Sequence, residues 1–383
     1  MSTLRVEALE QPDGTAFIFN NKNLLINGGM NVWQRATSQA SISSTSTDGY
    51  VTADRWTTYN NSLGTWTQSQ STDVPTAQGF GYSLKMDCTT ADASPAASDE
   101  LVITQKIEAQ NLQHLLFGTS SAKSITLSFW VKSNKTGTYI INLVRTDGGA
   151  RSISKSYTID TANTWEKKTI TFAGDTTNAI ANDNGSGIDL NFYLAAGSNY
   201  TSGTLATSWE SLTNANRAVG QVNLADSTSN EWYMTGCQLE VGSTASGFEF
   251  EPFPTILRKC RRYYVRWDRT GPPAVPYVQA VYLGMAQFFS TTQAIILCYI
   301  QEPMRGVPDI AYSAVNDFQV IENGGVVETS TAMAVFNDGA HTDEELSFQP
   351  MLVLTTSGAT NARVGRAFVA DSANGFLALD AEL

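Results

Sequence analysis

Strict alternation of apolar and polar residues is the feature that most constrains the fold of this chain. Between residues 124 and 132, every second side chain is large and apolar: Ile125, Leu127, Phe129 and Val131. A period of two places those side chains on one face of a half-buried β-strand. Similar strand-forming segments, several of them separated by turns that contain Gly, Asn or Asp, lie at residues 138–144, 164–172, 188–194 and 231–239. Many short strands joined by such turns predict an all-β protein built from sandwiches or jelly rolls.

The order of these patterns predicts four segments along the 383 residues, a length that allows two or three domains. Residues 1–22 are expected to form an N-terminal arm that anchors the chain to a neighbouring protein or copy. A jelly-roll domain follows at 23–252, a short helical connector at 253–268 and a second β-sandwich domain at 269–383. Within the last segment, Asn323-Gly324-Gly325 predicts a hairpin turn.

The connector carries a cluster of basic residues on a helical pattern. Pro254 suits the first turn of a helix, and apolar side chains recur at three- and four-residue spacings from Ile256 to Trp267. The basic side chains either form a solvated helix face, or they line a three-fold axis or hold an acidic neighbour. A chain with a net charge of −12 supplies acidic neighbours readily. The candidate interface residues are Arg258, Arg261, Arg262, Tyr263 and Tyr264.

Composition and charge argue against several functional classes. The net charge is −12 and the isoelectric point is about 4.7, which argues against a nucleic-acid-binding surface. No run approaches the roughly 18 apolar residues needed to span a bilayer, so membrane insertion is not expected. The four cysteines form no Cys-x-x-Cys motif. We therefore expect buried free thiols in a protein made in a reducing cytoplasm.

The sequence contains no recognisable catalytic motif. Its two histidines, His114 and His341, lie in different predicted domains, whereas a zinc site needs three or four ligands. No nucleophile elbow, Walker A loop or dinucleotide-binding fingerprint occurs. A glycosidase needs only two carboxylates, and the 36 acidic residues offer too many pairs to single one out. We therefore expect a protein that is not an enzyme and that has no cofactor.

Two predicted strands carry aromatic residues on their polar faces. Trp130 lies on the same strand face as Lys132, opposite the apolar residues of the 124–132 pattern. Tyr193 shares its face with Asp189 and Asn191. A flat ring among amide, hydroxyl and charged groups is typical of a sugar-binding site, so these five residues are the candidate glycan-binding residues. The alternative is that both rings pack across strands or between subunits.

Several separated motifs resemble those of one family of proteins. They are the segment 23–35 around Asn27-Gly28-Gly29-Met30-Asn31, Ala53-Asp54-Arg55-Trp56, the segment 236–242 with Cys237-Gln238-Leu239-Glu240, the segment 248–253, Cys260-Arg261-Arg262-Tyr263-Tyr264 and the segment 376–383. Their order and spacing are similar to those of bacteriophage virion appendage proteins, especially tail-fibre and head-fibre proteins of podoviruses that infect marine bacteria and cyanobacteria. The resemblance implies a jelly roll like a carbohydrate-binding module, a homotrimer, assembly in the host cytoplasm and a place in the virion. It supplies no catalytic residue.

The resemblance also implies a metal site. Jelly-roll modules of this type often hold a structural calcium ion between their N-terminal and C-terminal strands, which makes Asp48, Asp54 and Glu240 the candidate ligands here. Carboxylate oxygens are the ligands that calcium prefers. The alternative is that Asp54 forms an internal ion pair with Arg35 or Arg55.

These observations together predict a phage virion structural protein, a tail fibre or similar appendage, that attaches to glycan on the host surface. Its expected partners are further copies of itself and, through the N-terminal arm, other virion proteins. Two alternatives remain open. One is a purely architectural component without a receptor, such as a head fibre, a decoration protein or a tail adaptor. The other is a glycan depolymerase.

Overall fold

The structure, a computed structural model, confirms the predicted all-β class, because strands make up most of its regular secondary structure. Among the described residues, no helix is long and apolar enough to cross a membrane. The predicted N-terminal arm (apart from Lys22), the Asn323-Gly324-Gly325 turn and His341 lie outside the described residues. The described residues are 22–268, 281–298, 300–322, 327–335, 351–356, 364–369 and 375–383.

Residues 22–268 cover the whole of the predicted first domain and the connector. The strands of the first domain are β1 (Ser38–Ile42), β2 (Thr57–Asn61), β3 (Thr65–Ser71), β4 (Ser83–Thr90), β5 (Glu100–Glu108), β6 (Ile125–Ser133), β7 (Gly137–Arg145), β8 (Arg151–Ile159), β9 (Glu166–Phe172), β10 (Ser186–Ala196), β11 (Glu210–Ser211) and β12 (Glu231–Val241). Its helical turns are α1 (Ser198–Thr201) and three 3-10 helices at Ala109–Leu115, Asn214–Asn216 and Leu224–Asp226.

These strands form two antiparallel six-stranded sheets. Sheet 1 has the order β1-β3-β4-β12-β6-β9, and sheet 2 has the order β11-β8-β7-β10-β5-β2. Apart from the consecutive pairs β3-β4 and β7-β8, neighbours in each sheet are not consecutive in sequence, so the chain crosses repeatedly between the two layers, as in jelly rolls. Both sheets send alternate side chains into one shared core, which is the arrangement of a β-sandwich.

Aromatic rings from both sheets meet at the centre of the sandwich. The ring of Phe129 in β6 lies edge-on to that of Phe192 in β10, with 5.3 Å between centroids. Trp232 and Trp56 also contact Phe192, at 6.2 and 6.1 Å. All four side chains are fully buried. The alternation that predicted an inward Phe129 is therefore confirmed, and truncating such a ring to Ala costs about 3–5 kcal/mol of stability.

The connector is a helix followed by a strand. Helix α2 spans Phe253–Arg261 and β13 spans Tyr264–Asp268. The prediction of a helix as far as residue 268 is wrong for this second part. Residues 264–268 pair with the segment 376–380, with Val265 opposite Leu379, and these backbone hydrogen bonds override a helical spacing that reflected local sequence only.

The second domain is all-β, as predicted, but its described strands form a closed barrel and a small sheet where a second sandwich was expected. Its described strands are β14 (Val281–Phe288), β15 (Gln293–Cys298), β16 (Asp309–Tyr312), β17 (Phe318–Glu322), β18 (Val327–Val335), β19 (Met351–Thr356), β20 (Val364–Val369) and β21 (Phe376–Asp380), with a 3-10 turn at Val315–Asp317. Strands β14-β15-β19-β18-β17-β20 close into a barrel, and β13-β21-β16 form a small sheet. Closure pairs each described barrel strand with a neighbour on both sides, which protects strand edges.

All four thiols are buried and free, as predicted. They are Cys88, Cys237, Cys260 and Cys298. Burial raises the pKa of each of them, to about 11 for Cys88 and about 12 for Cys298. Protonated, enclosed thiols of this kind pack as small apolar side chains.

Candidate functional site

A row of polar side chains crosses the outer face of sheet 2. Strand register aligns Thr57 with Thr104, and Thr104 with Asn191. It continues from Asn191 to Asn142 and from Asn142 to Ser154. Because side chains alternate between the two faces of a sheet, and the neighbours of these residues in β5, β7 and β10 belong to the core, the row points away from the sandwich interior. We call these five residues the polar row.

Hydrogen bonds hold the polar row in a defined arrangement. The Thr104 hydroxyl donates to Asn191 Oδ1 at 2.7 Å, and Asn142 Nδ2 donates to Ser154 Oγ at 3.0 Å. Arg217 lies above the row, where its Nε donates to Asn142 Oδ1 at 3.2 Å and its carbonyl oxygen accepts from Ser154 Oγ at 2.8 Å. Side chains restrained in this way lose little further freedom when a ligand binds.

A cavity of about 410 Å³ lies over one part of the polar row. We call it the groove. Residues of β2, β5 and β10 form its floor, and Tyr50, Arg217 and Leu383 contribute from outside those strands. Tyr59, on β2, lines the groove, is 40% exposed and supplies a flat apolar surface. The groove therefore combines one accessible ring with a floor of hydroxyl and amide groups.

Two cations and two carboxylates line the groove. Lys106 lies opposite Asp189 on the neighbouring strand, and Arg217 lies near Glu100, whose charge it partly offsets. Burial raises the pKa of Asp189, opposed by a hydrogen bond from Ser186 and by the charges of Lys106 and Arg217. Burial likewise raises the pKa of Glu100. The four side chains balance in charge, so the groove suits a neutral ligand rich in hydroxyl groups.

The two groove carboxylates stand far apart. Glu100 lies at one end of β5, and Asp189 lies opposite Lys106, six residues further along that strand. At about 3.3 Å per residue, the separation is roughly 20 Å. The carboxyl pairs of glycosidases stand about 5–9.5 Å apart. Glu100 and Asp189 therefore do not form a hydrolytic pair.

The structure separates the five predicted glycan-binding residues. Asp189 and Asn191 line the groove. Tyr193 is fully buried beneath the segment between β10 and β12, where it packs with Tyr200 and Ala218, so its ring is not offered to a ligand. The remaining two predicted residues are on β6 in sheet 1, on the opposite side of the sandwich. Strand alternation gives the face of each residue but does not tell which sheet a strand joins.

The two predicted residues on sheet 1 lie on a face where Lys132 already has partners within the chain. The ammonium group of Lys132 forms an ion pair with Asp73 and lies 4.2 Å from the centroid of the Tyr233 ring. Trp130 is half-buried and pairs in register with Thr235 across to β12. The ammonium group of Lys132 is therefore already paired within the chain.

The three predicted calcium ligands do not come together. Asp48 accepts a backbone N–H at 2.8 Å, Asp54 accepts from the backbone and side chain of Gln34, and Glu240 accepts from Gln238 at 2.9 Å. Within the part of the chain that the structure describes, no group of three or more His, Cys, Asp or Glu residues could hold a metal ion. The three carboxylates instead serve as acceptors for the chain's own donors.

The predicted interface residues lie where the two domains of one chain meet. Arg262 donates two hydrogen bonds to the buried Glu108, at 2.7 and 2.9 Å. Arg261 donates to Gln301 at 2.9 Å, and Arg258 pairs with Glu302 at 3.4 Å. The acidic partners of the basic connector are thus supplied within the same chain, a contact that local sequence did not reveal.

Two tyrosines of the same set stack with arginines from the first domain. The guanidinium carbon of Arg35 lies 3.6 Å from the centroid of the Tyr264 ring, and that of Arg55 lies 3.4 Å from the centroid of Tyr263. At such distances a buried cation gains about 2 kcal/mol from the ring. Arg35 and Arg55 also pair with Asp380 and Glu382. The motifs at 23–35, 53–56, 260–264 and 376–383, distant in sequence, therefore meet at this one junction.

Sequence reasoning missed every groove residue except Asp189 and Asn191. Glu100 was available to it, because Glu100, Thr104 and Lys106 alternate along β5 on the polar face. Tyr50 and Arg217 come from segments outside the strands, and Leu383 comes from the far end of the sequence. No local pattern assigns such residues to a site, because only the folded chain brings them together.

No protein-family model matches this chain, and no curated protein matches it. Among solved structures, it is similar to the enzymatically active domain of tailspike protein 4 of bacteriophage CBA120, with a TM-score of 0.30 and 15% identity over 57% of this chain; the match spans 21% of the tailspike chain. It is also similar to a xylan-binding domain from Paenibacillus barcinonensis (TM-score 0.27, 12% identity, 54% of this chain and 94% of that one). A family 11 carbohydrate-binding module from Clostridium thermocellum is similar with a TM-score of 0.27 and 10% identity, over 50% of this chain and 91% of that one. At these TM-scores the similarities carry no argument about function.

Proposed function

We propose that this chain binds a neutral glycan in the groove of sheet 2 and that it is an attachment component of a phage appendage. The observation that carries the glycan function is the groove itself. It places an exposed aromatic ring, Tyr59, beside a polar row whose side chains are already held by hydrogen bonds.

The groove supports both contacts that a sugar needs. The C–H face of a pyranose packs against an aromatic ring, and Tyr59 offers one. Sugar hydroxyls both donate and accept hydrogen bonds, and Asn191, Asp189 and Lys106 supply acceptors and donors along the floor. The raised pKa of Asp189 means that ionising it in the folded chain costs stability, and such costly groups concentrate at functional sites.

The virion role is proposed from the resemblance of the junction motifs to those of phage appendage proteins. In this proposal the chain acts as a homotrimer, joins other virion proteins and meets glycan on the host cell. Hydrolysis of the glycan is not part of the proposal, because the groove carboxylates Glu100 and Asp189 stand about 20 Å apart.

The glycan proposal is tested with variants on the two faces of the sandwich. Tyr59→Ala and Asn191→Ala should each weaken binding to a glycan array at least tenfold, since each removes a groove contact worth about 1.4 kcal/mol. Trp130→Ala, on sheet 1, is the matched control and should bind like the wild type. Loss of binding in the control alone would move the site to sheet 1, and a wild-type chain that binds no glycan would refute the proposal.

The attachment role needs a separate test. Purified chain should compete with phage particles for adsorption to host cells, and antibody labelling should locate the chain on the particle. Labelling without competition would favour the architectural alternative. Release of reducing sugar from host polysaccharide would favour the depolymerase.

A further inference from the structure

Both domains build one end of the groove. Tyr50 belongs to the first domain and Leu383 to the second, and both line the cavity. The Tyr50 hydroxyl donates a hydrogen bond to the main-chain oxygen of Leu383 at 3.3 Å. The position of this end wall therefore depends on how the segment 380–383, which we call the clasp, is held against the first domain.

Groups of the second domain and of the connector bind the main chain of the clasp. Arg305 Nε donates to the carbonyl oxygen of Ala381 at 2.7 Å, and Arg305 Nη2 donates to that of Glu382 at 2.8 Å. The amide of Ala381 donates to the carbonyl oxygen of Tyr263 at 2.8 Å. These bonds continue the pairing of β13 with β21. Neither Arg305 nor Glu382 lines the groove.

A single guanidinium links the clasp to the groove floor. Arg55 is 1% exposed and forms an ion pair with the carboxylate of Glu382. Its Nη2 also donates to the carbonyl oxygen of Lys106 at 2.7 Å, and Lys106 lies on the groove strand β5. Arg35 pairs with Glu382 at 3.3 Å from the other side. Displacement of the clasp would therefore shift residues of both the wall and the floor of the groove.

We propose that glycan binding in the groove and docking of the second domain through the clasp are energetically coupled. The inference rests on the proposed glycan function and deepens it, because it makes ligand affinity a property of both domains. Coupling between two equilibria is reciprocal. A docked clasp strengthens glycan binding, and a bound glycan strengthens clasp docking by the same factor. Contact with a glycan on the first domain is thereby transmitted to the second.

The test uses substitutions that touch the clasp and not the groove. Glu382→Gln keeps the size of the side chain and removes its charge. Arg305→Lys keeps the charge and removes the guanidinium group that donates to two clasp carbonyls. The full-length chain is screened against a panel of neutral oligosaccharides, and the strongest binder is used in titration calorimetry. We expect each variant to bind about tenfold more weakly than the wild type. Arg258→Ala, which breaks an exposed ion pair at the same junction, is the matched control and should bind normally.

Hydrogen exchange gives the reciprocal measurement. In the wild type, the same oligosaccharide should slow exchange of the Ala381 amide by about tenfold, and this effect should shrink in Glu382→Gln. Equal affinities in the wild type and both clasp variants would overturn the coupling and leave the glycan function intact. Weaker binding by the clasp variants, without any slowing of Ala381 amide exchange by ligand in the wild type, would show a structural effect only. That result would also overturn the coupling. A wild-type chain that binds nothing on the panel would refute the glycan function and this inference together.

Discussion

Arg55 offers a sharp test of the junction, because its backbone conformation is unfavourable for a residue with a Cβ whereas its side chain makes stabilising buried contacts. Its φ of +71° is in the left-handed region, which disfavours every residue with a Cβ. Its buried side chain nevertheless pairs with Glu382, donates to the carbonyl oxygen of Lys106 and stacks on Tyr263 at 3.4 Å. These contacts hold a backbone conformation that Gly would adopt more easily.

Two truncations separate the two contributions. Arg55→Ala removes all three contacts and leaves Glu382 paired with Arg35 alone. Breaking a buried ion pair costs about 3–5 kcal/mol. Because Glu382 keeps one partner, we expect a loss of about 3 kcal/mol, at the lower end of that range. Arg55→Gly removes the same contacts but relieves a left-handed penalty of about 1–2 kcal/mol. The extra freedom of Gly in the unfolded chain offsets about 0.5–1 kcal/mol of this relief. The Gly variant should thus be more stable than the Ala variant by about 0.5–1 kcal/mol.

Urea unfolding followed by tryptophan fluorescence measures this difference, since Trp56 is the next residue and is fully buried. The matched control is Arg258 in helix α2, whose side chain is exposed. There Gly should be less stable than Ala by about 1 kcal/mol, the usual order in a helix. If Gly is also the less stable variant at position 55, the left-handed backbone does not limit stability there and the reasoning fails.

Three further predictions follow from burial and backbone geometry. Because burial raises the pKa of Asp189, its ionisation destabilises the folded chain above the unfolded pKa of about 3.9. Asp189→Asn should therefore unfold at a higher urea concentration than the wild type at pH 7, and the difference should vanish below about pH 4. A gain in stability that persists below that pH would contradict this origin. Gly236 has a φ of +63°, and an added Cβ would lie 2.5 Å from the Phe80 ring. Gly236→Ala should therefore lower the free energy of unfolding by about 1–2 kcal/mol or more. An unchanged urea midpoint would show that the surrounding residues accommodate the methyl group without cost. A thiol reagent should label no cysteine of the native chain and all of them in denaturant, because burial raises their pKa values; rapid native labelling would contradict the burial of Cys88, Cys237, Cys260 and Cys298.

Much of the fold was predictable because strand patterns are local. The alternation around Phe129 gave both the strand β6 and its buried face. The helix α2 was predicted from Pro254 and the apolar spacing that follows. The prediction was wrong from residue 264 onward, where a backbone partner more than a hundred residues away decides the conformation.

The candidate site was predictable only in part. Asp189 and Asn191 were placed on a polar strand face, and both line the groove. Tyr193 has the same alternation and is buried, because the segment that carries Tyr200 and Arg217 packs over it. A periodic pattern shows which way a side chain points from its own strand, but it does not show what packs above that strand.

The amino-acid sequence by itself determined that this chain folds as strands around apolar interiors, with few charges and enclosed thiols. These properties depend on neighbours within a few residues, which are visible in the sequence. Only the tertiary structure decided which strands share a sheet, where the groove opens and how the domains join. Arg35 and Asp380, for example, are 345 residues apart and lie 2.9 Å from each other, and contacts between such distant residues depend on the packing of the whole chain.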